Sequence, residues 1–222
     1  MKAAGPADTA LDIAIKFCGL TAPDHLRAAE AAAARYVGFV FYAKSPRALS
    51  HDQARALALN VAPGIAKVGL VVDLDDDAIT ALLNRVPLDM LQLHGRESPA
   101  RVADVKARFG LPVMKAVGIS GPEDLSALDA FAQTADQLLV DAKPPEGADL
   151  PGGNAVAFDW RLISGRRWQT PWLLAGGLTP ANVAEAVRLT GARQVDVSSG
   201  VERIRGVKDP ELMAEFAAAL RY

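Results

Sequence analysis

Ile13-Ala14-Ile15-Lys16-Phe17-Cys18-Gly19 is an apolar run that stops at glycine, and Thr21, Pro23 and Asp24 follow at once. The run reads as a buried strand. The Thr21/Asp24 spacing, with proline in the first turn, reads as a capping box that opens a helix. Side chains alternate along a strand, so Lys16 and Cys18 share one face and Ile15 and Phe17 the other. A cation and the chain's only cysteine therefore meet at the strand's C-terminal end. A lone cysteine is most often a small buried apolar residue. The neighbouring lysine and the strand-to-helix turn make a reactive thiol an equally good reading.

The same strand–turn–helix sentence repeats along the chain. Apolar, β-branched or aromatic runs recur at 36–41, 66–72, 90–94, 112–118, 137–141, 171–175 and 194–198. Helix starts stand between them: Ser50 with Gln53, the acidic Asp75, Asp76 and Asp77, Ser98-Pro99, Pro122, Thr179-Pro180 and Asp209-Pro210. Eight such units in 222 residues fill the length of a compact closed parallel barrel. A doubly wound open sheet uses the same elements, and strand number does not separate the two. No linker or composition break divides the chain. The reading is α/β, a single (β/α)8 barrel over residues 11–222 with residues 1–10 as a flexible N-terminal extension.

Half of the residues are hydrophobic, 23% are charged and the net charge is −2. That balance, without a basic block, argues against a nucleic-acid binder. One cysteine precludes an internal disulfide and fits a reducing cytoplasm. No apolar run reaches the roughly 20 residues of a membrane helix, and the first dozen residues lack the design of a signal peptide.

Barrel chemistry collects at the C-terminal strand ends. The sequence places Cys18, Arg47, Asp73, His94 and Asp141 there, with Gly176-Gly177 and Ser198-Ser199-Gly200. The two glycine-bearing ends bring bare backbone N–H groups together after strands seven and eight, the place and composition of a phosphate cradle. His94 shares a strand face with Gln92, so both turn into the barrel as polar lining. Asp196 lies between Val195 and Val197 and faces inward on strand eight, beside Lys16 of strand one in a closed ring. The two are expected to pair. Residues 142–158, rich in proline and glycine, form either a loose surface excursion or a lid on the catalytic rim. No cluster has metal-ligand spacing, and no dinucleotide or P-loop fingerprint is present, so neither metal nor nucleotide cofactor is expected.

With these residues assembled, the chain resembles the phosphoribosylanthranilate isomerase family over nearly its whole length. The resemblance rests on Lys16-Phe17-Cys18-Gly19-Leu20, Gly38-Phe39-Val40-Phe41 with Ser45-Pro46-Arg47, and Leu91-Gln92-Leu93-His94-Gly95. It continues through Leu139-Val140-Asp141 with Lys143, Phe158-Asp159-Trp160, Leu174-Ala175-Gly176-Gly177-Leu178 and the run from Val195 to Glu202. It implies a cofactor-free Amadori rearrangement in tryptophan biosynthesis, in which an aminoaldose, N-(5-phosphoribosyl)anthranilate, becomes an aminoketose. In the family, the cysteine matching Cys18 is the general base and the aspartate matching Asp141 the general acid. The arginine matching Arg47 holds the anthranilate carboxylate. Gly176, Gly177, Ser199, Gly200 and His94 complete the substrate-binding set. The expected partner is a phosphorylated small molecule, with no nucleic acid or membrane, acting on a cytoplasmic monomer or weak homodimer. Two places depart from the pattern: Ala155 stands where glycine is expected, and Arg203 and Arg205 stand where small residues or proline are usual.

Overall fold

The computed structural model describes residues 13–143, 152 and 157–221. Eight parallel strands close in the order of the chain: β1 (Ala14–Cys18), β2 (Tyr36–Val40), β3 (Ala66–Val71), β4 (Met90–Leu93), β5 (Val113–Ile119), β6 (Gln137–Ala142), β7 (Trp172–Leu174) and β8 (Gln194–Val197). Around them lie α1 (Pro23–Ala31), α2 (His51–Ala58), α3 (Asp76–Leu83), α4 (Pro99–Phe109), α5 (Leu125–Ala132), α6 (Val183–Thr190) and α7 (Pro210–Ala218). A short antiparallel hairpin, β9 (Glu202–Ile204) and β10 (Val207–Lys208), is inserted between β8 and α7. The closure excludes the open-sheet alternative. Among the described residues no helix is long and apolar enough to cross a membrane. The extension expected at residues 1–10 lies outside the described residues.

Two apolar layers follow from strand alternation. Outward-facing Phe17 packs edge-to-face on Phe216 of α7, with ring centroids 6.2 Å apart. Inward-facing Met114, Ala116, Leu139, Leu173 and Ala175 fill the barrel, a packed core and not a pore. At its N-terminal end Tyr36 and Gln137 both donate to the Gln194 side-chain oxygen, at 3.1 and 2.9 Å.

Several helix starts are where the sequence puts them. Ser50 and Gln53 make a reciprocal capping box, and Asp75, Ser98 and Asp209 cap α3, α4 and α7. The Thr21/Asp24 box does not form. Ala22 is the N-cap without a side-chain bond, the Thr21 amide donates to His25 Nδ1 (3.1 Å), and Asp24 pairs with Arg27. The turn at Thr179-Pro180 also stops short of a helix. Asn182 Oδ1 accepts from the Thr179 amide at 2.8 Å, and α6 begins only at Val183. Pro122 opens a single 3-10 turn, Pro122–Asp124, ahead of α5. Before β7 the chain makes another 3-10 turn, Trp160–Ile163.

Candidate active site

The C-terminal strand ends surround a cleft lined in part by Cys18, Arg47, His94, Asp141, Asp196 and Ser198. Cys18 ends β1 and pairs in register with Gly38 of β2. A Cβ at Gly38 would lie 3.1 Å from Cys18 Sγ and 3.3 Å from Lys16 Nζ, so the bare glycine makes room for thiol and ammonium together. Lys16 Nζ donates to Asp196 Oδ1 at 2.6 Å, the expected pair.

Lys16 does favour the Cys18 thiolate, but it does not set the balance. Burial pushes the Cys18 thiol up, and Asp196 adds to that; Lys16, Lys208 and Arg47 pull the other way and do not win. The physical reason is that Asp196 already engages the Lys16 charge, while desolvation acts on the sulfur undiminished.

Asp141, on β6, accepts the Ala142 amide at Oδ1 (2.8 Å) and faces His94 Nε2 with Oδ2 at 3.5 Å. His94 Nδ1 stands 2.7 Å from the Gln92 amide nitrogen, and Gln92 is wholly buried, so both side chains turn inward. With that amide assigned as donor, the imidazole proton sits on Nε2, toward Asp141. Gly152 covers this pair: a Cβ there would come within 2.5 Å of His94 Nε2 and 3.0 Å of Asp141 Oδ2. The rest of the 142–158 lid reading, Ala155 included, falls almost wholly outside the described residues.

Arg47, after β2, is not a free cation. Its Nε and Nη2 donate to the two oxygens of Glu202 at 2.7 and 2.8 Å. Lys208 Nζ donates to Glu202 Oε1 at 2.5 Å and to the Ser198 carbonyl at 3.0 Å. Burial works to raise the Glu202 carboxyl, but the hydrogen bonds and charges of Arg47 and Lys208 outweigh it and hold the group at about 2. Arg203 and Arg205 are exposed, and Arg203 pairs with Asp209 and Glu211 at the start of α7. That arginine serves the helix and not the cleft.

After β7, Gly176 and Gly177 take φ of +83° and +63°, a left-handed region that disfavours side chains. A Cβ at Gly200 would lie 1.8 Å from the Leu178 carbonyl oxygen, so the turns after β7 and β8 touch through that glycine. Among the described residues the N–H groups of Gly177, Ser199 and Gly200 find no acceptor. Bare amides on two adjoining turns are what an anion needs.

Residues 15–219 match the family model described as N-(5'phosphoribosyl)anthranilate (PRA) isomerase. The chain belongs to that family. Over 209 residues it is 59% identical to N-(5'-phosphoribosyl)anthranilate isomerase of Cereibacter sphaeroides, with 94% of this chain and 99% of the relative covered. It is 61% identical over 206 residues to the Paracoccus denitrificans enzyme of the same name, covering 93% and 96%. The phosphoribosyl anthranilate isomerase of Thermotoga maritima superposes with a TM-score of 0.83 at 33% identity, covering 94% and 98%. A PRA isomerase complexed with reduced 1-(o-carboxyphenylamino)-1-deoxyribulose 5-phosphate gives 0.80 at 31%, with the same coverage.

The structure brings Cys18, Arg47, His94 and Asp141 to one cleft, and Gly176, Gly177, Ser199 and Gly200 to the adjoining strand ends. Sequence reasoning missed two buried ion pairs behind them. One is Glu202 with Lys208. The other is Lys115 with Glu97 (2.6 Å), where Glu97 also accepts the Asp73 and Gly95 amides and so joins the rims of β3, β4 and β5. The only available signal was the charged residue within an apolar strand, as at Lys115; Lys208 beside Asp209 reads like any solvated pair.

Proposed function

We propose that this chain isomerises N-(5'-phosphoribosyl)anthranilate to 1-(2-carboxyphenylamino)-1-deoxyribulose 5-phosphate without a cofactor, as a step of tryptophan biosynthesis. The observation that carries the reading is the convergence of Cys18, Asp141 and Arg47 on one cleft, beside the glycine-bearing ends of β7 and β8.

The rearrangement needs a proton delivered to the furanose ring oxygen to open the ring, and a proton taken from C2′ of the iminium that results. The substrate's own nitrogen is the electron sink. One acid and one base suffice: Asp141 is the acid and Cys18 the base, on β6 and β1 across the ring of strands. Arg47 receives the anthranilate carboxylate. The amides of Gly176, Gly177, Ser199 and Gly200 receive the phosphate, and His94 lines the sugar side next to Asp141.

Freshly generated phosphoribosylanthranilate, followed by the loss of its fluorescence and by mass spectrometry of the aminoketose, tests the reading. Turnover with the metal-free protein is the expected result. No turnover by folded protein overturns it.

A further inference from the structure

We propose that Glu202 and Lys208 are positioning residues: with Arg47 they form a buried triad with one surplus positive charge, set to receive a single ligand carboxylate on the guanidinium edge that Glu202 leaves open. The inference rests on the reading of Arg47 as the carboxylate clamp and adds what aims and charges it.

Arg47 lines the cleft, while Glu202 and Lys208 stand behind it with side chains 2% and 0% exposed. Glu202 accepts four hydrogen bonds: Arg47 Nε (2.7 Å), Arg47 Nη2 (2.8 Å), the Gly206 amide (2.8 Å) and Lys208 Nζ (2.5 Å). These use the acceptor capacity of a carboxylate, so Glu202 is locked. It holds the side-on edge of the guanidinium. Five N–H donors belong to an arginine, and those left are the pair on Nη1 and the second on Nη2. That end-on edge is the other bidentate face that a carboxylate fits.

Lys208 cannot reach a ligand itself. Its three ammonium hydrogens face Glu202 Oε1, the Ser198 carbonyl (3.0 Å) and Ser198 Oγ (3.1 Å). Its role is charge. An Arg47–Glu202 pair alone is neutral, and an incoming carboxylate would compete with Glu202 for the same arginine. Lys208 offsets Glu202 and restores to Arg47 the whole charge of a free guanidinium. The neighbouring Lys16–Asp196 pair is one-to-one and adds no surplus.

The surplus depends on pH. Burial draws Lys208 down to about 8; Arg47, from the loop after β2, pushes the same way, while Glu202 on β9 and Cys18 on β1 oppose it. His25 on α1, itself lowered by burial and by Lys208, also faces this group. Above that pH the triad becomes neutral and its pull on a carboxylate fades.

The test is calorimetric binding of reduced 1-(o-carboxyphenylamino)-1-deoxyribulose 5-phosphate and of its carboxamide counterpart, whose ratio cancels the phosphate. Wild type should prefer the carboxylate at pH 7 and lose that preference as pH rises beyond 8, a readout that needs no variant. Lys208→Met should lose at least about tenfold of the preference, with the carboxamide little changed. Lys208→Arg should keep it. The double variant Lys208→Met/Glu202→Gln, which regains one surplus charge without stranding a carboxylate, should recover most of it. A preference lost in Arg47→Met but intact in Lys208→Met, and flat with pH, overturns the inference and leaves the clamp standing. A preference intact in Arg47→Met overturns both. Normal carboxylate preference without isomerisation overturns the proposed activity alone.

Discussion

Lys16 Nζ and Asp196 Oδ1 stand 2.6 Å apart across the seam where β1 meets β8, and the two residues are register partners in that ladder. The alternation of Ile15, Lys16, Phe17 against Val195, Asp196, Val197 turns both charges inward and the apolar neighbours out. A pair so buried contributes little over an apolar substitute, but half of it is costly. Asp196→Ala should therefore lower the free energy of unfolding by about 3–5 kcal/mol, and Lys16→Met/Asp196→Leu should recover much of the loss. Urea unfolding reads both. A loss for Asp196→Ala within the roughly 1 kcal/mol typical of exposed pairs would contradict the buried pairing.

Burial holds the Cys18 thiol above its ordinary value despite three nearby cations. A raised thiol is protonated at neutral pH, so base function should climb with pH rather than saturate below 7. Since Cys18 is the only cysteine, iodoacetamide reports on one site. The alkylation rate should rise through a midpoint above that of an ordinary thiol. A midpoint below 7 would show that Lys16 prevails over desolvation.

The barrel is legible because its signal is local: apolar runs recur in every unit, many with a glycine stop or a proline, serine or aspartate start. The ion pair at Lys16 and Asp196 was legible for the same reason, since alternation and ring closure alone bring them together. The Thr21/Asp24 box failed because His25 Nδ1 takes the Thr21 amide and Arg27 takes Asp24. The Arg47–Glu202–Lys208 triad was out of reach. Arg47 and Glu202 lie 155 residues apart and meet only when the hairpin after β8 folds back over the loop after β2. No periodicity encodes that.

The adjoining turns after β7 and β8 form the proposed phosphate cradle. A methyl group at Gly200 would need the space of the Leu178 carbonyl, 1.8 Å away, so Gly200→Ala must part the turns. It should raise KM for the phosphorylated substrate at least about tenfold and alter kcat less. Inhibition by inorganic phosphate should weaken in parallel. Gly177→Val should act similarly, because its φ of +63° resists a branched side chain. Unchanged KM and phosphate inhibition in both variants would remove the cradle from these turns.

Glu202 makes acid stability measurable at one residue. Its carboxyl is held at about 2 in the folded chain against an ordinary 4.5. A depressed carboxyl adds stability that is present above the ordinary value and disappears as pH falls through the folded one. About 3 kcal/mol should be lost between pH 5 and 2 on this account. Urea titrations followed by tryptophan fluorescence should show it, and Glu202→Gln should flatten that limb. Parallel acid limbs in the two proteins would mean that other carboxylates, Glu97 among them, carry the transition.

The proposed chemistry rests on two groups with different tasks. Asp141 has one oxygen engaged by its own neighbour's amide and the other free to face His94 and the cleft, so Oδ2 is the atom that can carry a proton to a ring oxygen. Cys18 lines the same cleft from β1 and has no other carboxylate or imidazole on its own strand to replace it. Each proton transfer is worth roughly 10²–10⁴-fold. Cys18→Ala and Asp141→Asn should lose turnover by at least that factor while still binding the reduced product, because both leave Arg47 and the glycine turns in place. Gly152→Ala, whose Cβ would intrude within 3.0 Å of Asp141 Oδ2 and closer still to His94, should lower kcat without removing either group. Near-normal turnover in Cys18→Ala would assign the base elsewhere. His94, 3.5 Å from Asp141, would then be the residue to replace, and a pH profile of His94→Ala would decide between them.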